Sequence, residues 1–280
     1  MSSIRVTSLR KNYRKYKPFM MSSIQQALAY RGSVYLWIFS KILSLFVTYY
    51  LWKAIYRNDL STVINGFSFP EMVIYIVISY ITVNIISGNA ARNIAYDVVE
   101  GSIAINLIKP ISYRTKLLFT SFGMIIFRFF VPGIFLWGGV LFFEYHEYGI
   151  YPPSIQLTLL YLLSLVFSFL IMFLFDFCYG MLAFYTTYVW GMNMSKAALL
   201  LFLSGSMIPL SFFPPMAQRI FEFLPFSSMN YVPVMIYLGK ISGQALMKAF
   251  LVQVVWIAIL YILSNYFWKK ATKRLTVVGG

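Results

Sequence analysis

His146 stands between Glu144 and Glu147, and these three side chains come closest to a metal-binding pattern in the sequence. One imidazole and two carboxylates hold a cation weakly, whereas a structural zinc site has four ligands that usually include several Cys or His. The sequence has no second histidine, and its one cysteine, Cys178, is distant in the chain. The pattern therefore favours ordinary solvation in a short loop over a metal site.

The spaced motifs that enzymes use for phosphate binding, metal binding or nucleophilic attack are missing from the sequence. It contains no Gly-x-x-x-x-Gly-Lys-Ser/Thr loop, no Cys-x-x-Cys pair, no His-Glu-x-x-His and no Gly-x-Ser-x-Gly. We therefore predict that the chain has no catalytic residues, holds no cofactor or metal, and neither binds nor hydrolyses ATP by itself.

Two charged residues, Arg128 and Asp176, lie inside apolar segments. A charge near the centre of a bilayer costs at least ~2.5–3.5 kcal/mol, so such residues usually face a helix bundle or a watery cavity and find partners. The sequence leaves three interpretations open: an ion pair between the two residues, separate contacts with water, or a place in a translocation path.

The composition determines the class of protein. Hydrophobic residues make up 60% of the 280 residues and charged residues only 11%, too few for the surface of a soluble protein of this length. A membrane-spanning helix needs about 20 apolar residues, and the sequence contains six such runs. We predict an all-α integral membrane protein with a single domain, residues 1–280, and spans at residues 33–54, 70–88, 117–142, 155–184, 197–213 and 246–267.

Positive charge is concentrated in four segments that flank or connect these spans. They hold sixteen Lys and Arg residues but only two acidic residues, Asp97 and Glu100. Because Lys and Arg near span ends stay on the cytoplasmic side, we predict that both termini are cytoplasmic. A nucleic-acid-binding protein would gather its cations on one exposed face, so we expect no nucleic acid partner. The four segments are residues 1–32, 89–116, 188–196 and 268–280.

The basic segment 1–32 has apolar residues at helical spacing, from Tyr13 and Tyr16 to Met20 and Ile24. This pattern predicts an amphipathic helix along the inner membrane interface, attracted by anionic lipid. A disordered basic tail is the alternative.

The loop 89–116 has the signals of two helices. A first helix is predicted to run through Asp97 to Glu100 and to stop at Gly101, and Ser102 to cap a second, short helix from Ile103 to Ile108 that ends before Pro110. Apolar residues on a short helix in water need a partner to cover them, which favours a docking element over a helix lying on lipid. The residues concerned are Ile103, Ala104, Leu107 and Ile108.

The segment 209–240 is interrupted by five prolines but is too apolar for an ordinary solvated loop. We predict short re-entrant helices in the outer leaflet, between the fifth and sixth spans, with protein or a cavity covering the interrupted backbone.

Two stretches of the sequence resemble the permease subunits of the ABC-2 exporter family. The first, in the loop 89–116, is IAYDVVEGSIAINLIKPIS, which is similar to the family's acidic-glycine turn and short helix ending in Leu-x-Lys/Arg-Pro. The second is LFLSGSMIPLSFFPPMAQRIFEFLPFSSMNYVPVMIYLG, which is similar to the family's Ser-Gly-x-x-x-Pro, Phe-Pro, Leu-Pro-Phe and Pro-x-x-x-x-x-Gly series.

The resemblance implies a half-transporter in a bacterial plasma membrane, paired with a second copy of itself or a homologous permease. Two copies of a cytoplasmic ABC ATPase would bind ATP and Mg and drive export, with the short helix of the first cytoplasmic loop in a groove of the ATPase. Coupling would then fall on Asp97, Glu100, Gly101, Leu107, Lys109 and Pro110. The re-entrant helices would close the exit with Pro209, Phe213, Pro214, Pro225 and Phe226.

The substrate is open at this point, because such permeases move drugs, lipids, glycans and peptides; an amphipathic or hydrophobic molecule fits the aromatic composition. A competing hypothesis is a transporter or channel that works without ATP and uses Arg128 and Asp176 as a proton relay. A membrane-embedded enzyme or an assembly scaffold is a third, weaker alternative.

Overall fold

Long apolar helices make up most of the molecule. The computed structural model describes the backbone of residues 2–57, 59, 62–186 and 188–274, and the side chains of these residues except 2–12, 31, 33 and 37. Residues 275–280 of the predicted cytoplasmic tail lie outside the described residues. Within the described ranges, five helical segments are long and apolar enough to cross a membrane: Val34–Ile55, Phe69–Val99, Tyr113–Tyr148, Ile155–Phe184 and Gly243–Thr272.

The first half of the chain contains a long N-terminal helix, a small hairpin and the central helix of the bundle. In chain order the elements are α1 (Ser2–Ala29), α2 (Arg31–Ile55), β1 (Val63–Ile64), β2 (Phe67–Ser68), α3 (Phe69–Ile86), α4 (Ala90–Val99), α5 (Ser102–Ile108) and α6 (Tyr113–Arg128). The antiparallel pair of β1 and β2 was not predicted. Ser68 caps α3 in a reciprocal hydrogen-bonded box with Glu71, the arrangement that satisfies the free amides of a helix start.

The second half begins with the π-helical segment Phe129–Gly133, in which Pro132 interrupts the regular hydrogen bonding between α6 and α7. The elements that follow are α7 (Ile134–Tyr148), α8 (Ile155–Gly180), a 3₁₀ turn (Met181–Phe184), α9 (Val189–Leu203), a second 3₁₀ turn (Leu210–Phe212), α10 (Pro215–Phe223), α11 (Pro225–Met229), α12 (Tyr231–Tyr237) and α13 (Gly243–Thr272).

The structure does not contain a membrane-length helix at the fifth predicted span, within the residues that it describes. The sequence predicted a span at 197–213, but the apolar helix here is α9, which has 15 residues and ends at Leu203. Gly205, at φ +73°, follows its end, and this left-handed conformation favours glycine and terminates a helix. The stretch 188–196, predicted as a cytoplasmic loop, lies almost entirely within α9.

Burial differs sharply between neighbouring helices. The central helix α3 is buried on nearly all sides, with Met72 and Ile78 fully inaccessible, whereas α2 exposes Phe39 and Phe46. A helix that is apolar all round is buried in a core or faces lipid. In this bundle α3 has the first role, and α2 has a surface suited to the second.

The N-terminal helix α1 lies against α6. Its buried side chains are Tyr16, Met20, Ser23 and Ala27, and the Tyr16 ring lies 5.5 Å from that of Phe119 on α6. At the crossing, a Cβ atom on Gly123 would collide with the Met20 carbonyl oxygen and the Ser23 hydroxyl. The predicted helix therefore forms, but its buried face contacts another helix rather than lipid alone.

Candidate functional site

The turn between α4 and α5 forms where the sequence predicted it. Glu100 caps the C-terminus of α4, and Gly101 adopts φ +75°, a left-handed conformation that reverses the chain. One detail differs: Gly101 itself is the N-cap of α5, and Ser102 is the first helical residue. The Ser102 hydroxyl makes no capping bond and instead donates to Asp97 Oδ1 over 2.7 Å.

Asp97 is the centre of a polar network beneath α5. Its carboxylate accepts hydrogen bonds from Ser102, from Asn106 Nδ2 at 3.0 Å and from the Tyr113 hydroxyl at 2.6 Å. Lys116 Nζ donates to Asn106 Oδ1 over 2.9 Å. Hydrogen bonds to a charged acceptor are stronger than neutral ones, so this carboxylate joins the end of α4 to α5 and to the start of α6.

The short helix α5 buries its polar Asn106 and leaves most of its apolar residues exposed. Asn106 and Ile103 are buried, whereas Ile105 and Ile108 are 58% and 82% exposed and Leu107 is 37% exposed. The predicted apolar face is therefore partly wrong: Ile103 belongs to the core, and Ile105 takes its place on the surface. We call Ala104, Ile105, Leu107 and Ile108 the α5 face.

Two further predicted loop residues lie at the ends of these helices. Lys109 has an extended backbone and ends α5 immediately before Pro110, as expected for a residue that precedes proline. Lys109 and Glu100 are both exposed and lie outside the Asp97 network.

The loop is also attached to the C-terminal helix and to α1. The Tyr113 ring stacks on Trp268 of α13 with centroids 5.4 Å apart and an interplanar angle of 14°. Arg114 Nη1 donates to Ser264 Oγ at 3.0 Å and to Asn265 Oδ1 at 2.7 Å. These contacts connect α5, through the start of α6, to the last turns of α13.

On the α1 side, the Lys15 ammonium donates to the Pro110 carbonyl oxygen. The Tyr16 hydroxyl accepts a hydrogen bond from the Ser112 amide at 2.9 Å. The segment that follows α5 is therefore fixed from two directions.

Arg128 and Asp176 do not pair with each other. Arg128 Nη1 donates to the Ser87 hydroxyl at 2.6 Å, to the Ser87 carbonyl, and to the Asn84 carbonyl at 3.4 Å. Asp176 is fully buried, and its Oδ1 accepts from Lys196 Nζ at 3.0 Å. Of the three interpretations that the sequence left open, the ion pair between Arg128 and Asp176 is the one that these contacts do not show.

The break between α3 and α4 explains these partners. The Arg128 guanidinium lies at the C-terminal carbonyls of α3, and the Asp176 carboxylate lies close to the first amides of α4, at Ala90 and Ala91. A cation is stabilised at a helix C-terminus and an anion at an N-terminus. At Gly88, within the break, a Cβ atom would lie only 2.9 Å from Asp176 Oδ2, so the carboxylate approaches the backbone closely.

The predicted re-entrant segment consists of the short helices α10, α11 and α12, and α3 holds the chain that leads into it. The Tyr75 hydroxyl donates to the Gly205 carbonyl at 2.5 Å, and Ser79 Oγ donates to the Ser206 carbonyl at 3.2 Å. Asn230 Nδ2, between α11 and α12, donates to the same Ser79 hydroxyl at 2.7 Å.

Two other helices hold α11. Gln253 of α13 is fully buried and its Nε2 donates to the Ser228 carbonyl at 2.9 Å. Ser168 Oγ of α8 donates to the same carbonyl at 2.9 Å, and Gln253 Oε1 accepts from Ser164 at 3.2 Å. The Ser228 carbonyl is thus satisfied inside the bundle, as an apolar environment requires of backbone polar groups.

The five predicted gate residues differ in burial and in the rings that they contact. Pro209 and Pro225 are buried and begin short helical turns, while Pro214 is exposed. The Phe213 ring contacts Phe221, with centroids 5.2 Å apart, and the Phe226 ring lies at the same distance from Phe175 of α8.

Lys240, just after α12, connects the segment to the start of α3. Its Nζ forms an ion pair with Glu71 Oε1 at 2.8 Å and donates to the Gly66 carbonyl at 2.8 Å. Since α4 follows the other end of α3, the segment α10–α12 and the α5 face lie at opposite ends of the bundle.

His146 lies in the last turn of α7, not in a loop, and its ring stacks on Phe142 with centroids 5.9 Å apart. Among the residues that the structure describes, no three His, Cys, Asp or Glu side chains form a group that could hold a metal ion.

A sequence model described as ABC-2 family transporter protein matches residues 42–279. The chain belongs to the ABC-2 transporter family. The matched region includes the Asp97 network, the α3–α4 break and the segment α10–α12, so these are features of an ABC-2 membrane component. A comparison with curated proteins finds no match.

Five residues of the loop site were not predicted in these roles from the sequence: Ser102 as a hydrogen-bond donor to Asp97, Lys116 as a donor to Asn106, and Ile105, Asn106 and Tyr113 altogether. Asn106 carried one usable signal, because it is the single polar side chain within the apolar run IAINLI. A lone polar residue in such a run needs a hydrogen-bonding partner wherever it is buried.

Proposed function

We propose that this ABC-2 family member is the permease of an ATP-driven exporter. In this proposal it forms the translocation path with a second permease, a copy of itself or a homologue. Two copies of a cytoplasmic ABC ATPase bind ATP and Mg and supply the energy. The family membership and the lack of a phosphate-binding loop in the sequence support a division of labour between this chain and a separate ATPase.

We infer that the end of the bundle carrying α5 is cytoplasmic and that the chain crosses the plasma membrane as one transmembrane domain. The concentration of Lys and Arg in the loop that contains α5 and in the segments at both termini supports this orientation. The segment α10–α12 would then lie at the outer side, where we propose that it closes the exit.

The α5 face is the observation that carries the proposal. Three large apolar side chains, Ile105, Leu107 and Ile108, project from a helix that is fixed from behind by Asn106 and Asp97. An exposed apolar cluster of this kind is typical of a protein contact. Asn106 of α5 is hydrogen-bonded to α6, and Tyr113 of α6 is stacked on α13. A movement of α5 caused by a bound partner would therefore be transmitted to two membrane helices.

The alternative of an ATP-independent transporter has lost its main support. It required Arg128 and Asp176 to act together, but each has its own partner at the α3–α4 break. These contacts favour a structural role, in which the two charges hold α4 at the end of α3. The substrate is proposed to be amphipathic or hydrophobic, in keeping with the aromatic composition.

The test is to place a charge on the α5 face. We expect Ile108→Asp and Leu107→Asp to abolish co-purification of the ATPase while leaving membrane insertion and permease pairing intact, because a carboxylate cannot be buried in an apolar contact without a partner. Lys109→Ala, on the neighbouring exposed residue, is the matched control and should have a small effect, since rim charges contribute less than apolar anchors.

Co-expression of the permease with its ATPase, followed by affinity purification and a transport assay, measures these outcomes. Wild-type ATPase binding and transport by both Asp variants would show that α5 is only a connector and would overturn the coupling assignment.

A further inference from the structure

We propose that a groove between α8 and α13 binds one anionic phospholipid, with its acyl chain along the groove and its phosphate at Lys270 and Arg274. We call this the α8–α13 groove; its apolar walls are formed by Cys178, Met181, Leu182, Leu260, Leu263 and Phe267. The site is separate from the α5 face, and the proposal goes beyond the proposed transport function and does not depend on it.

The shape and chemistry of the groove suit a hydrocarbon chain. Its volume is about 510 Å³. Met181 and Leu260 form a buried floor, while Leu182 and Leu263 at the rim are 46% and 36% exposed. The groove therefore opens sideways from the bundle, toward the surface that a membrane protein presents to lipid.

Two cations stand at one end of this apolar groove. Lys270 lines it directly, and the Arg274 guanidinium lies 4.4 Å over the ring of Tyr185, another lining residue. Residues three or four apart share a helix face, so Lys270 continues the stripe of Leu263 and Phe267 along α13, and Arg274 lies in the turn that follows the helix. Of the ion pairs formed by described residues, Lys196–Asp176 and Lys240–Glu71, neither involves these two cations.

An anionic phospholipid satisfies both halves of the site at once. Its acyl chain covers the apolar walls, and its phosphate pairs with the two cations; basic pockets between membrane helices bind lipid headgroups in this way. Inorganic phosphate would leave the walls uncovered. A second copy of this chain, docked through the groove about a two-fold axis, would bring Lys270 and Arg274 of both copies together, and the four like charges would repel.

The experiment titrates the full-length chain, purified in detergent, with dioleoylphosphatidylglycerol or dioleoylphosphatidylcholine and counts bound lipids by native mass spectrometry. We expect the K270Q/R274Q variant to bind phosphatidylglycerol about tenfold more weakly than the wild type. The matched control K269Q/K273Q removes the same charge from neighbouring residues that do not line the groove, and it should bind like the wild type. Leu263→Trp, which fills the groove and keeps both cations, should also weaken binding.

Four results would overturn the proposal. An equal loss in K269Q/K273Q would show diffuse attraction instead of a site, and undiminished binding by K270Q/R274Q or by Leu263→Trp would place the lipid elsewhere. Displacement of the lipid by inorganic phosphate would identify a free-anion site. Oxidation that joins two chains through Cys178 would show that a second copy covers the groove. None of these measurements involves the ATPase, so they are independent of the coupling test.

Discussion

The two ends of the bundle use short apolar helices in opposite ways. At one end, α5 buries its polar Asn106 and exposes Ile105 and Ile108; at the other, α12 buries Val234 and Ile236 completely. Both helices have seven residues, and both are rich in β-branched apolar residues. Their apolar content therefore does not explain the difference; it depends on the polar Asn106 of α5, which α12 lacks, and on where polar partners are available.

At the α5 end, the partner is a carboxylate. Asp97 attracts the donors of Asn106 and Tyr113, so the polar side of α5 faces inward and the apolar side is left uncovered. At the α12 end, the partners are buried side chains: Asn230 donates to the Ser79 hydroxyl of α3, and Gln253 donates to the Ser228 carbonyl of α11. There the helix can bury its apolar residues in the core. Apolar residues in a short helix thus mark a contact surface in one case and a core in the other.

The largest effect is expected at the α3–α4 break, which connects the two ends. Asp176→Asn should leave Lys196 as a partly desolvated, unpaired cation and lower the free energy of unfolding by about 3–5 kcal/mol, whereas adding Lys196→Gln should restore most of the loss. Thermal unfolding of the purified variants measures both.

Arg128→Gln supplies the control for this cycle. Arg128 is hydrogen-bonded to the end of α3 and not to Asp176. The change in the free energy of unfolding caused by Arg128→Gln should therefore add to the change caused by Asp176→Asn. Strong coupling between Arg128 and Asp176, or none between Asp176 and Lys196, would contradict the partners described at the break.

A pair of identical substitutions tests the comparison of the two ends directly. Ile236→Ala should lower the free energy of unfolding by about 3 kcal/mol because it opens a cavity in the core. Ile108→Ala should change it by less than about 0.5 kcal/mol because this side chain is exposed in the isolated permease. If chemical or thermal unfolding showed equal losses of stability for the two variants, α5 would be buried like α12. The proposed difference between the two ends of the bundle would then be wrong.

A smaller effect is expected from Asp97→Asn. The amide keeps one acceptor oxygen but places its own N–H donors against the donors of Asn106 and Tyr113. We therefore expect the free energy of unfolding to fall by about 2 kcal/mol. The exposed Glu100→Gln is the matched control and should be neutral. The melting temperature reports stability, and hydrogen exchange at α5 reports its attachment; unchanged exchange in Asp97→Asn would show that the network does not hold α5.

Local signals were sufficient for the turn between α4 and α5. Gly101 and Pro110 each act on their own backbone, so their effects can be predicted from neighbouring residues. The orientation of α5 could not be predicted, because it is determined by Asp97 and Lys116, which bond Asn106 only in the folded loop.

The charged residues inside the bundle show the same limit of prediction from sequence. The cost of burying Arg128 and Asp176 predicts that each has a partner, but the partners depend on how α6 and α8 meet the broken helix. The fifth predicted span was misplaced for a related reason. Hydropathy indicates an apolar run, while the conformation of Gly205 determines where the helix ends.

The contact between α1 and Gly123 has a consequence for biosynthesis. Met20 leaves the ribosome about a hundred residues before Gly123, and at about 5–20 residues per second the delay is on the order of 5–20 s. During that time the face of α1 with Tyr16 and Met20 has no protein to cover it. The cations on its other side, Arg14 and Lys17, would hold the nascent helix at an anionic membrane surface until α6 is inserted. We therefore expect the basic residues of α1 to act first during synthesis, before the contact between α1 and α6 forms.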